Sequence, residues 1–298
     1  MEIRQARADD APAVVALRAI VHPYLVSQVA ATRQLITDPV PGTDWRGFVA
    51  VAGSQPVGWV AGSRNITTSE ADFGEIAHLQ VHPDHRGRGA GSALFDAVWQ
   101  HLRDLGIRRV RTWCPEQSLD FARRRGFTPS RRMRYAALGL LPPPPAPPVP
   151  HDVRLVAVSE LDPGDLYEAD VAASADEPGD VPVDAMTYRT WRRDVWDDAG
   201  LDHELSVAAV VDARVAAFSL VRRDGGRMWS DFTATVPRHR GRGLARLVKT
   251  VALRRAAADG AVEAYTSNDE SNAPMLAINA RLGYRPVATQ LSCLATMS

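Results

Sequence analysis

Two glycine-rich turns carry the residues best suited to chemistry in this sequence. The string RGRG occurs at residues 86–89 and again at 240–243, and each copy stands between a strand-like run and an apolar helix. A turn of this kind directs successive backbone N–H groups, together with the positive N-terminal end of the helix, at an anion. Glycines let the main chain approach phosphate oxygens closely, and the neighbouring arginines compensate the charge. Both turns are therefore predicted to bind a phosphate group.

The spacing of the two turns indicates an internal duplication. Gly89 and Gly243 lie 154 residues apart, about half of the 298-residue chain. A second pair of landmarks, ARRRGF ending at Phe127 and NARLGY ending at Tyr284, follows the turns at similar distances. Repetition at half the chain length favours two similar domains of ordinary size over a solenoid.

The elements around the turns are predicted to follow the same order in both halves. Each half begins with a strand, a helix and a hairpin, and ends with a strand, the glycine turn, an amphipathic helix and further strands. This order predicts an α+β fold, with two domains that each have a mixed, mostly antiparallel sheet flanked by helices. The predicted domains are 1–141 and 151–298. The proline-rich segment 142–150 is expected to be an extended spacer between them.

Composition restricts the class of protein. The chain is 45% hydrophobic and 23% charged, and its formal net charge is zero. These values, a charged N-terminus and the absence of a long apolar run predict a soluble cytoplasmic protein without a signal peptide or membrane span. Cys114 and Cys293 have the spacing of neither a metal site nor a disulfide framework, so no metal is expected. Neutral charge argues against a nucleic-acid partner, and the chain is expected to be a monomer or homodimer.

The turns and their flanks resemble the GCN5-related N-acetyltransferase (GNAT) superfamily over nearly the whole chain, as two tandem copies. The family's turn has Arg or Gln, two residues, Gly, one residue, then Gly or Ala. The family's fourth strand, with its proline, is matched by VHPDH and TVPRH just before the turns. The matching turn residues are Arg86, Gly89 and Gly91 in the first half and Arg240, Gly243 and Ala245 in the second.

This resemblance implies acetyl-CoA as the co-substrate. Amides of the turn would hold the pyrophosphate of CoA, and the splayed end of the fourth strand would pair with the pantetheine arm. The residues expected to bind the co-substrate are Leu79, Val81, Arg86, Gly87, Arg88, Gly89, Ala90, Gly91, Ser92, Val236, Arg240, Gly241, Arg242, Gly243, Leu244, Ala245 and Asn272. A dinucleotide site would instead need a third glycine where Ser92 and Arg246 stand, within a parallel βαβ unit.

The family's reaction requires a general base, because the accepting amine must lose a proton before it attacks the acyl group. Many relatives use a glutamate on the fourth strand, and Glu75 stands in that strand. Asp231 is the nearest acid in the second half, although alignment of the turns places it opposite Ala77. His78 is a third candidate, as a base or a substrate contact. Each acid could equally be a solvated surface charge at a strand end.

Relatives commonly have an asparagine after the fifth strand and, seven residues later, a tyrosine that protonates the leaving thiolate. This chain departs from that pattern. The second half keeps the asparagine as Asn272 but has Asn279 at the tyrosine position, and the first half has Pro115 and Ala122. A water, a backbone amide or another tyrosine could replace the missing acid, or one half could bind CoA without turnover.

Acceptor specificity is expected to come from the segment before the hairpin, where the halves differ most. In the second half this segment covers residues 175–200. Its aromatic and acidic residues could line a pocket for a cationic or aromatic amine, or form an amphipathic helix with tryptophans in the core. They are Trp191, Trp196, Asp194, Asp197 and Asp198.

The resemblance therefore predicts an acyl-CoA-dependent N-acyltransferase that acetylates a primary amine of a small molecule. Three alternatives remain open at this stage. The tandem arrangement is also similar to that of mycothiol synthases, in which one half is catalytic, but no residue selects that substrate. The chain could instead acetylate protein amines. A non-catalytic acyl-CoA-binding protein would explain the missing tyrosines.

Overall fold

The computed structural model describes residues 1–174, 178–184 and 186–297. The chain divides into two compact units. Unit 1 comprises Met1–Met133, Asp180–Pro182 and Ala288–Ser298, and unit 2 comprises Arg134–Gly179 and Val183–Val287. The predicted domains are continuous stretches of chain, whereas the compact units are not. The final strand of the first predicted domain enters unit 2 for part of its length, and the final strand of the second enters unit 1 for most of its length. The hydrophobic pattern of a strand does not show which unit the strand joins. A final strand that crosses to the other unit has the same length and polarity as one that stays in its own domain.

Unit 1 contains the first five strands of the chain and four helices. A further strand, β6 (Thr128–Gly139), begins in unit 1 and continues into unit 2. The other elements are β1 (Glu2–Gln5), α1 (Ala11–Val21), α2 (Val29–Thr37), β2 (Arg46–Ala52), β3 (Gln55–Arg64), β4 (Phe73–Val81), α3 (Ala90–Asp104), β5 (Arg109–Pro115) and α4 (Leu119–Arg123).

Unit 2 repeats this order of elements. Its last strand, β12 (Arg285–Thr296), begins in unit 2 and continues into unit 1. The others are β7 (Arg154–Ala157), α5 (Pro163–Ser174), α6 (Tyr188–Trp191), β8 (Val207–Val211), β9 (Arg214–Asp224), β10 (Arg227–Thr235), α7 (Leu244–Ala258), β11 (Glu263–Asp269) and α8 (Ala273–Leu282). None of the helices in the described residues is both long enough and apolar enough to cross a membrane.

The sheet has a matching strand order in the two units. In unit 1 the order is β1-β2-β3-β4-β5-β12, and in unit 2 it is β6-β11-β10-β9-β8-β7. One recorded pair in each unit is parallel, β4 with β5 and β10 with β11, while their other recorded neighbours pair antiparallel. The predicted mixed, mostly antiparallel α+β architecture with two similar halves is confirmed.

The parallel strand pair stops short in each unit. The last recorded partners are Ile76 with Thr112 in unit 1 and Trp229 with Tyr265 in unit 2, although β4 and β10 continue for several residues. Just beyond these points the register of each strand against its antiparallel neighbour shifts. His78, at the shift in β4, has a φ of 62°, which is rare for a residue with a side chain. A β-bulge therefore lies where each parallel pair ends.

Apolar stripes hold the glycine turns against the sheet. Leu94, Phe95, Val98 and Leu102 of α3 are buried in one hydrophobic cluster of unit 1, as the helical period predicts. In unit 2, α7 packs Leu247, Val248, Ala252 and Leu253 into a corresponding cluster. Each glycine turn directly precedes one of these helices. The packing of the helix into the core therefore fixes the position of the turn.

The proline-rich segment 142–150 is part of unit 2. Pro144 is buried, and the guanidinium of Arg254 in α7 donates a hydrogen bond of 2.6 Å to the Pro144 carbonyl. Leu140, just before the segment, donates its backbone N–H to Val262. The carbonyl of Pro144 and the backbone N–H of Leu140 therefore fix the segment and the residues before it to α7 and to the chain just before β11.

Asp180 ties a short stretch of the second half into unit 1. Its side chain is only 2% exposed and accepts hydrogen bonds from Ser130 at 2.7 Å and Ser292 at 2.5 Å. Arg131 Nε lies 3.1 Å from the same carboxylate. Burial by itself raises the pKa of Asp180, but Ser292, Ser130 and Arg131 outweigh it and hold the pKa below its ordinary value.

We expect Asp180→Asn to lower the free energy of unfolding by about 2 to 4 kcal/mol, because it leaves Arg131 without its buried counter-charge. The folded-state pKa is depressed, so the carboxylate's contribution is complete above pH about 4 and is lost as pH falls below it. Thermal unfolding of both proteins between pH 3 and 7 should show the difference shrinking as pH falls below about 4. Asp120→Asn, at an 81%-exposed side chain, is the control and should leave stability unchanged.

The two cysteines lie in one hydrophobic cluster of unit 1. Cys114 and Cys293 are buried free thiols whose Sγ atoms are 3.5 Å apart. Both side chains therefore belong to the core of unit 1.

Candidate active site

The two glycine turns have the same backbone conformation. Gly87 and Gly89 have φ values of 73° and 85°, and Gly241 and Gly243 have values of 77° and 76°. Side chains rarely adopt this left-handed conformation, which explains the glycines at both positions in both copies. A Cβ atom added at any of the four would meet no atom within 4 Å. The space over each turn is therefore open to a ligand.

Each turn presents unpaired backbone amides. Within the part of the chain that the structure describes, no acceptor pairs with the N–H groups of residues 87–89 or 241–243. The helices α3 and α7, of fifteen residues each, begin directly after Gly89 and Gly243. Free amides at the positive end of a long helix form an anion-binding site. The turns can therefore hold an anionic group, and the pyrophosphate expected there stays a prediction.

The leading arginine of each turn shapes the loop. Arg86 Nε donates to the carbonyl of Val81 at 3.1 Å, and Arg240 Nε donates to Thr235 at 3.3 Å. The carbonyls are the last of β4 and β10, so each arginine closes the turn back on its own strand. Arg242 contacts Asp152 at 2.5 Å. The arginine signature therefore has a structural role in addition to its charge.

The remaining predicted co-substrate residues have varied surroundings. Leu79 and Val81 are partly buried against the unit 1 core, whereas Val236 is buried among core side chains of unit 2. Ser92 accepts a hydrogen bond of 2.8 Å from Arg125. Asn272 accepts the N–H of Met275 and caps α8. Residues 86–92 thus lie at the N-terminus of α3, and residues 240–245 lie at the N-terminus of α7. The side chain of Asn272 caps α8.

Glu75 lies in the closed part of the β4–β5 pair. Its carboxylate accepts a hydrogen bond of 2.5 Å from Asn65 and forms an ion pair with Arg111, the residue opposite it on β5. Arg111 also lies 3.9 Å from Asp180. Glu75 is therefore already engaged by two donors, before the point where the strands part, and this surrounding favours a structural role.

Asp231 lies at the bulge of β10, beyond the last recorded partners of the β10–β11 pair. Its carboxylate accepts hydrogen bonds from Arg222 Nε at 2.8 Å and Trp229 Nε1 at 3.0 Å. Arg222 also contacts Asp198 at 2.5 Å. Burial lowers the pKa of Arg222, but Asp231 and Asp198 outweigh it and raise that pKa. Asp231 thus belongs to a set of carboxylates gathered around one arginine.

Asp194 is the third carboxyl of this set, and it differs from the others. The described residues provide it with no hydrogen bond or ion pair, although it is partly buried. Burial raises its pKa first, Asp198 and Asp231 raise it further, and Arg222 opposes them. A carboxyl with a raised pKa and a free oxygen is a suitable proton acceptor near neutral pH. From sequence, Asp194 is expected either to line an acceptor pocket or to lie on an amphipathic helix, and its raised pKa has no sequence signal because it depends on burial.

The tryptophans of the same segment belong mainly to the core. Trp191 is 1% exposed and donates its indole N–H to Asp170 at 2.6 Å. Trp196 is partly buried and stacks edge-on against His203, with ring centroids 4.8 Å apart. Of the two interpretations, Trp191 follows the core one. Residues 175–177 and 185 of the predicted acceptor segment lie outside the described residues.

His78 lies beside a buried basic cluster at the β4 bulge. Burial lowers its pKa well below the ordinary value, and Arg18 and His22 lower it further. Burial also lowers the pKa of His22 to about 4, with Arg18 and Arg86 contributing. Tyr24 contacts His22 Nδ1 at 3.0 Å and accepts a hydrogen bond from Gln290 at 2.9 Å. Unit 1 therefore keeps neutral imidazoles and one phenol at its bulge.

A tandem protein with two acetyltransferase-like halves is the class that this fold and these two turns define. The chain belongs to the acetyltransferase (GNAT) family, whose model matches residues 19–127 and 169–284. It is 26% identical over 258 residues to the mycothiol acetyltransferase of Catenulispora acidiphila, covering 83% of this chain and 81% of that protein.

Two solved structures share the fold. One is a tandem GNAT protein from the clavulanic acid biosynthesis pathway, with a TM-score of 0.77, 20% identity and coverage of 99% of this chain and 98% of that one. The other is a GCN5-related N-acetyltransferase from Sphaerobacter thermophilus, with a TM-score of 0.71, 20% identity and coverage of 99% and 95%.

Proposed function

We propose that the chain transfers an acetyl group from acetyl-CoA directly to a primary amine of a small molecule, and that unit 2 carries out the chemistry. The observation that carries this proposal is the pair of identical amide-lined turns, each beside a parallel strand pair that stops short. Acetyl-CoA would supply the acyl group as a thioester. The residues of this chain would bind the pyrophosphate, attract the amine and move protons.

The acidic set in unit 2 supports an amine acceptor. Asp194, Asp198 and Asp231 together carry more negative charge than Arg222 neutralises. Most primary amines are ammonium ions at neutral pH and would be drawn to such a site. Asp194 is the proposed general base, because it lacks a partner and its pKa is raised toward the working range. Asp231 would orient Arg222 and tune Asp194.

Unit 1 offers less for this reaction. Glu75 is held by Arg111 and Asn65, and the imidazoles near His78 are surrounded by buried arginine charge. An ammonium ion would be repelled there, so we propose that the unit 1 turn binds acyl-CoA without supplying the base. Acyl-CoA bound at that turn would then contribute to stability or regulation, which retains one of the sequence-based alternatives for half of the chain.

The names of the relatives suggest which amine to test first. Several curated relatives are mycothiol acetyltransferases, at 26% identity over most of the chain for two of them. The unacetylated precursor of mycothiol is therefore a reasonable first acceptor, and a panel of small cationic and aromatic amines should accompany it. Peptide amines test the protein-acetylating alternative.

Isothermal titration of the full chain with acetyl-CoA, followed by release of CoA thiol with the amine panel, tests the proposal. We expect two binding sites per chain and steady turnover with at least one small amine. Absence of binding would contradict the proposed function outright. Binding without turnover on any amine would favour the non-catalytic acyl-CoA-binding alternative, because a sensor binds its ligand without consuming it.

A further inference from the structure

Unit 2 contains a buried lysine that the proposed function does not explain. Lys249 is the only lysine in the chain, lies in the middle of α7 and is 1% exposed. Its ammonium donates to Thr266 Oγ1 at 3.3 Å and lies 5.1 Å from the centre of the Tyr284 ring. The described residues provide no counter-charge, and burial alone lowers its pKa to about 7. A buried cation without a counter-charge is costly to keep.

Further unsatisfied polar groups lie on Tyr284, which contacts this lysine, and on Ser230 and Asn279, which contact Tyr284. In the described residues, the side-chain oxygen of Asn279 is buried without a hydrogen-bond partner, and the buried hydroxyls of Ser230 and Tyr284 have no partner other than each other. Ser230 lies close enough to favour the Tyr284 phenolate, although burial dominates and raises the pKa of that phenol. Buried polar groups in folded proteins are nearly always paired. Several orphans around one cation indicate a place where another polar group binds.

The cluster lies where β10 and β11 part. Thr266 Oγ1 donates to the Ser230 carbonyl at 3.1 Å, one residue beyond the last recorded pair of the two strands. Asn279, at the position of the family's tyrosine, donates to Asn268 of β11 at 2.6 Å. Ser230 contacts this cluster, while the next residue, Asp231, contacts Arg222 near the proposed base. Two consecutive residues of β10 thus contact the two groups, with Ser230 beside the lysine cluster and Asp231 beside the arginine that faces the proposed base.

The same positions are apolar in unit 1. The 154-residue offset of the turns places Phe95 at position 249, and the rings of Phe95 and Phe127 touch as Lys249 and Tyr284 do. Thr112 keeps the bond to the strand carbonyl, donating to Ile76 at 3.0 Å. The replacement is therefore coordinated across several elements and confined to unit 2. The apolar counterparts, all members of one hydrophobic cluster, are Phe95, Phe127, Ile76, Ala122 and Cys114.

We propose that Lys249 is the proton donor to the thiolate that leaves in unit 2, in place of the family's tyrosine. This inference rests on the proposed function. One N–H bond of the ammonium breaks, its proton forms the S–H bond of CoA, and the neutral amine regains a proton from solvent. Thr266 positions the nitrogen, and the orphan groups of Ser230, Tyr284 and Asn279 line the place where the sulfur would arrive.

The surroundings of Lys249 leave its protonation state free to respond to the ligand. Tyr284 is the ionisable side chain recorded in contact with it. The carboxylates on the neighbouring strands are engaged elsewhere, Asp231 by Arg222, Glu263 by Tyr265 and Asp269 by Ser271. A thiolate would be the first anion to reach the ammonium.

A single lysine allows a direct test. In full-length protein labelled with carbon-13 at lysine Cε, one side-chain signal reports Lys249, and we expect it to titrate near pH 7. Saturating CoA should shift the titration midpoint by about 1 pH unit relative to saturating desulfo-CoA, which lacks the sulfur, because proton exchange with the sulfur couples the two titrations. Identical midpoints with the two ligands, with both bound through the unit 2 turn, would overturn the role of Lys249. Failure of CoA to bind that turn would instead overturn the proposed function, and this proposal with it.

Replacement by methionine separates catalysis from folding. Lys249→Met removes a buried charge at similar volume, so we expect Tm to rise by about 3 °C or more while acetyl-CoA still binds. Turnover should fall by about 100-fold or more, and the alkaline limb of the wild-type pH profile, where Lys249 loses its proton, should vanish. Unchanged turnover and pH profile would contradict the proposal. Phe95→Met, the matched change in unit 1, should leave both unchanged.

Discussion

Replacing Gly243 with aspartate is expected to abolish acetyl-CoA binding at the unit 2 turn while leaving the unit 1 turn intact. The added carboxylate would stand in the open space over the turn, among the amides that we propose bind pyrophosphate. Repulsion between these anions at the end of α7 should weaken binding by at least 100-fold, or about 2.8 kcal/mol. Isothermal titration should show the number of sites per chain falling from two to one.

Two further variants separate charge from backbone strain. Gly243→Ala adds a Cβ without charge at a φ of 76°, and the left-handed conformation costs about 1 kcal/mol. It should therefore weaken binding far less than the aspartate. Gly89→Asp, the matched change in unit 1, should remove the other site. An aspartate variant that binds acetyl-CoA as tightly as the wild type would exclude its turn from the site.

The sequence predicted the parts of the fold that depend on local pattern. The apolar stripe of α3 is buried in the core of unit 1, as its spacing predicts. The glycine turn follows its strand and precedes its helix in both units. Glycine at a position with positive φ is a signal that needs no tertiary information. The exchange of β6 and β12 between the compact units, and the burial of Asp180 in unit 1, depend instead on contacts between residues about fifty or more positions apart.

The site could be predicted only in part, because the properties of its side chains depend on contacts with residues distant in sequence. Glu75 and Asp231 were chosen by position on a strand, yet the structure distinguishes them by partners, with Arg111 closing on Glu75. Asp194 acquires its raised pKa first from burial and then from the neighbouring carboxylates of Asp198 and Asp231, none of which the strand pattern predicts. Lys249 did leave a signal, because alignment of the two turns places it on the apolar stripe at the position of Phe95. A charge at a core position is informative only when the repeat supplies the comparison.

Replacing Asp194 with asparagine is expected to lower kcat by about 100- to 1,000-fold while acetyl-CoA affinity stays within about twofold, because the amide cannot accept a proton. In the wild type, turnover should fall as pH drops and Asp194 becomes protonated, and its raised pKa places this acid limb above the usual range for aspartate. The limb should be absent in the variant. Steady-state kinetics between pH 5 and 9, with affinity measured separately, provides the check.

Asp231→Asn distinguishes Asp194 from its neighbour. Asp231 raises the pKa of Asp194, so its removal should move the acid limb to lower pH while the limb itself persists. If Asp231 were the base, the opposite pattern would hold, with the limb lost in Asp231→Asn and kept in Asp194→Asn. Glu75→Gln, in unit 1, should change neither the limb nor kcat. A carboxylate acts as the base only if its own removal erases the limb, so the two asparagine variants assign the role by their difference.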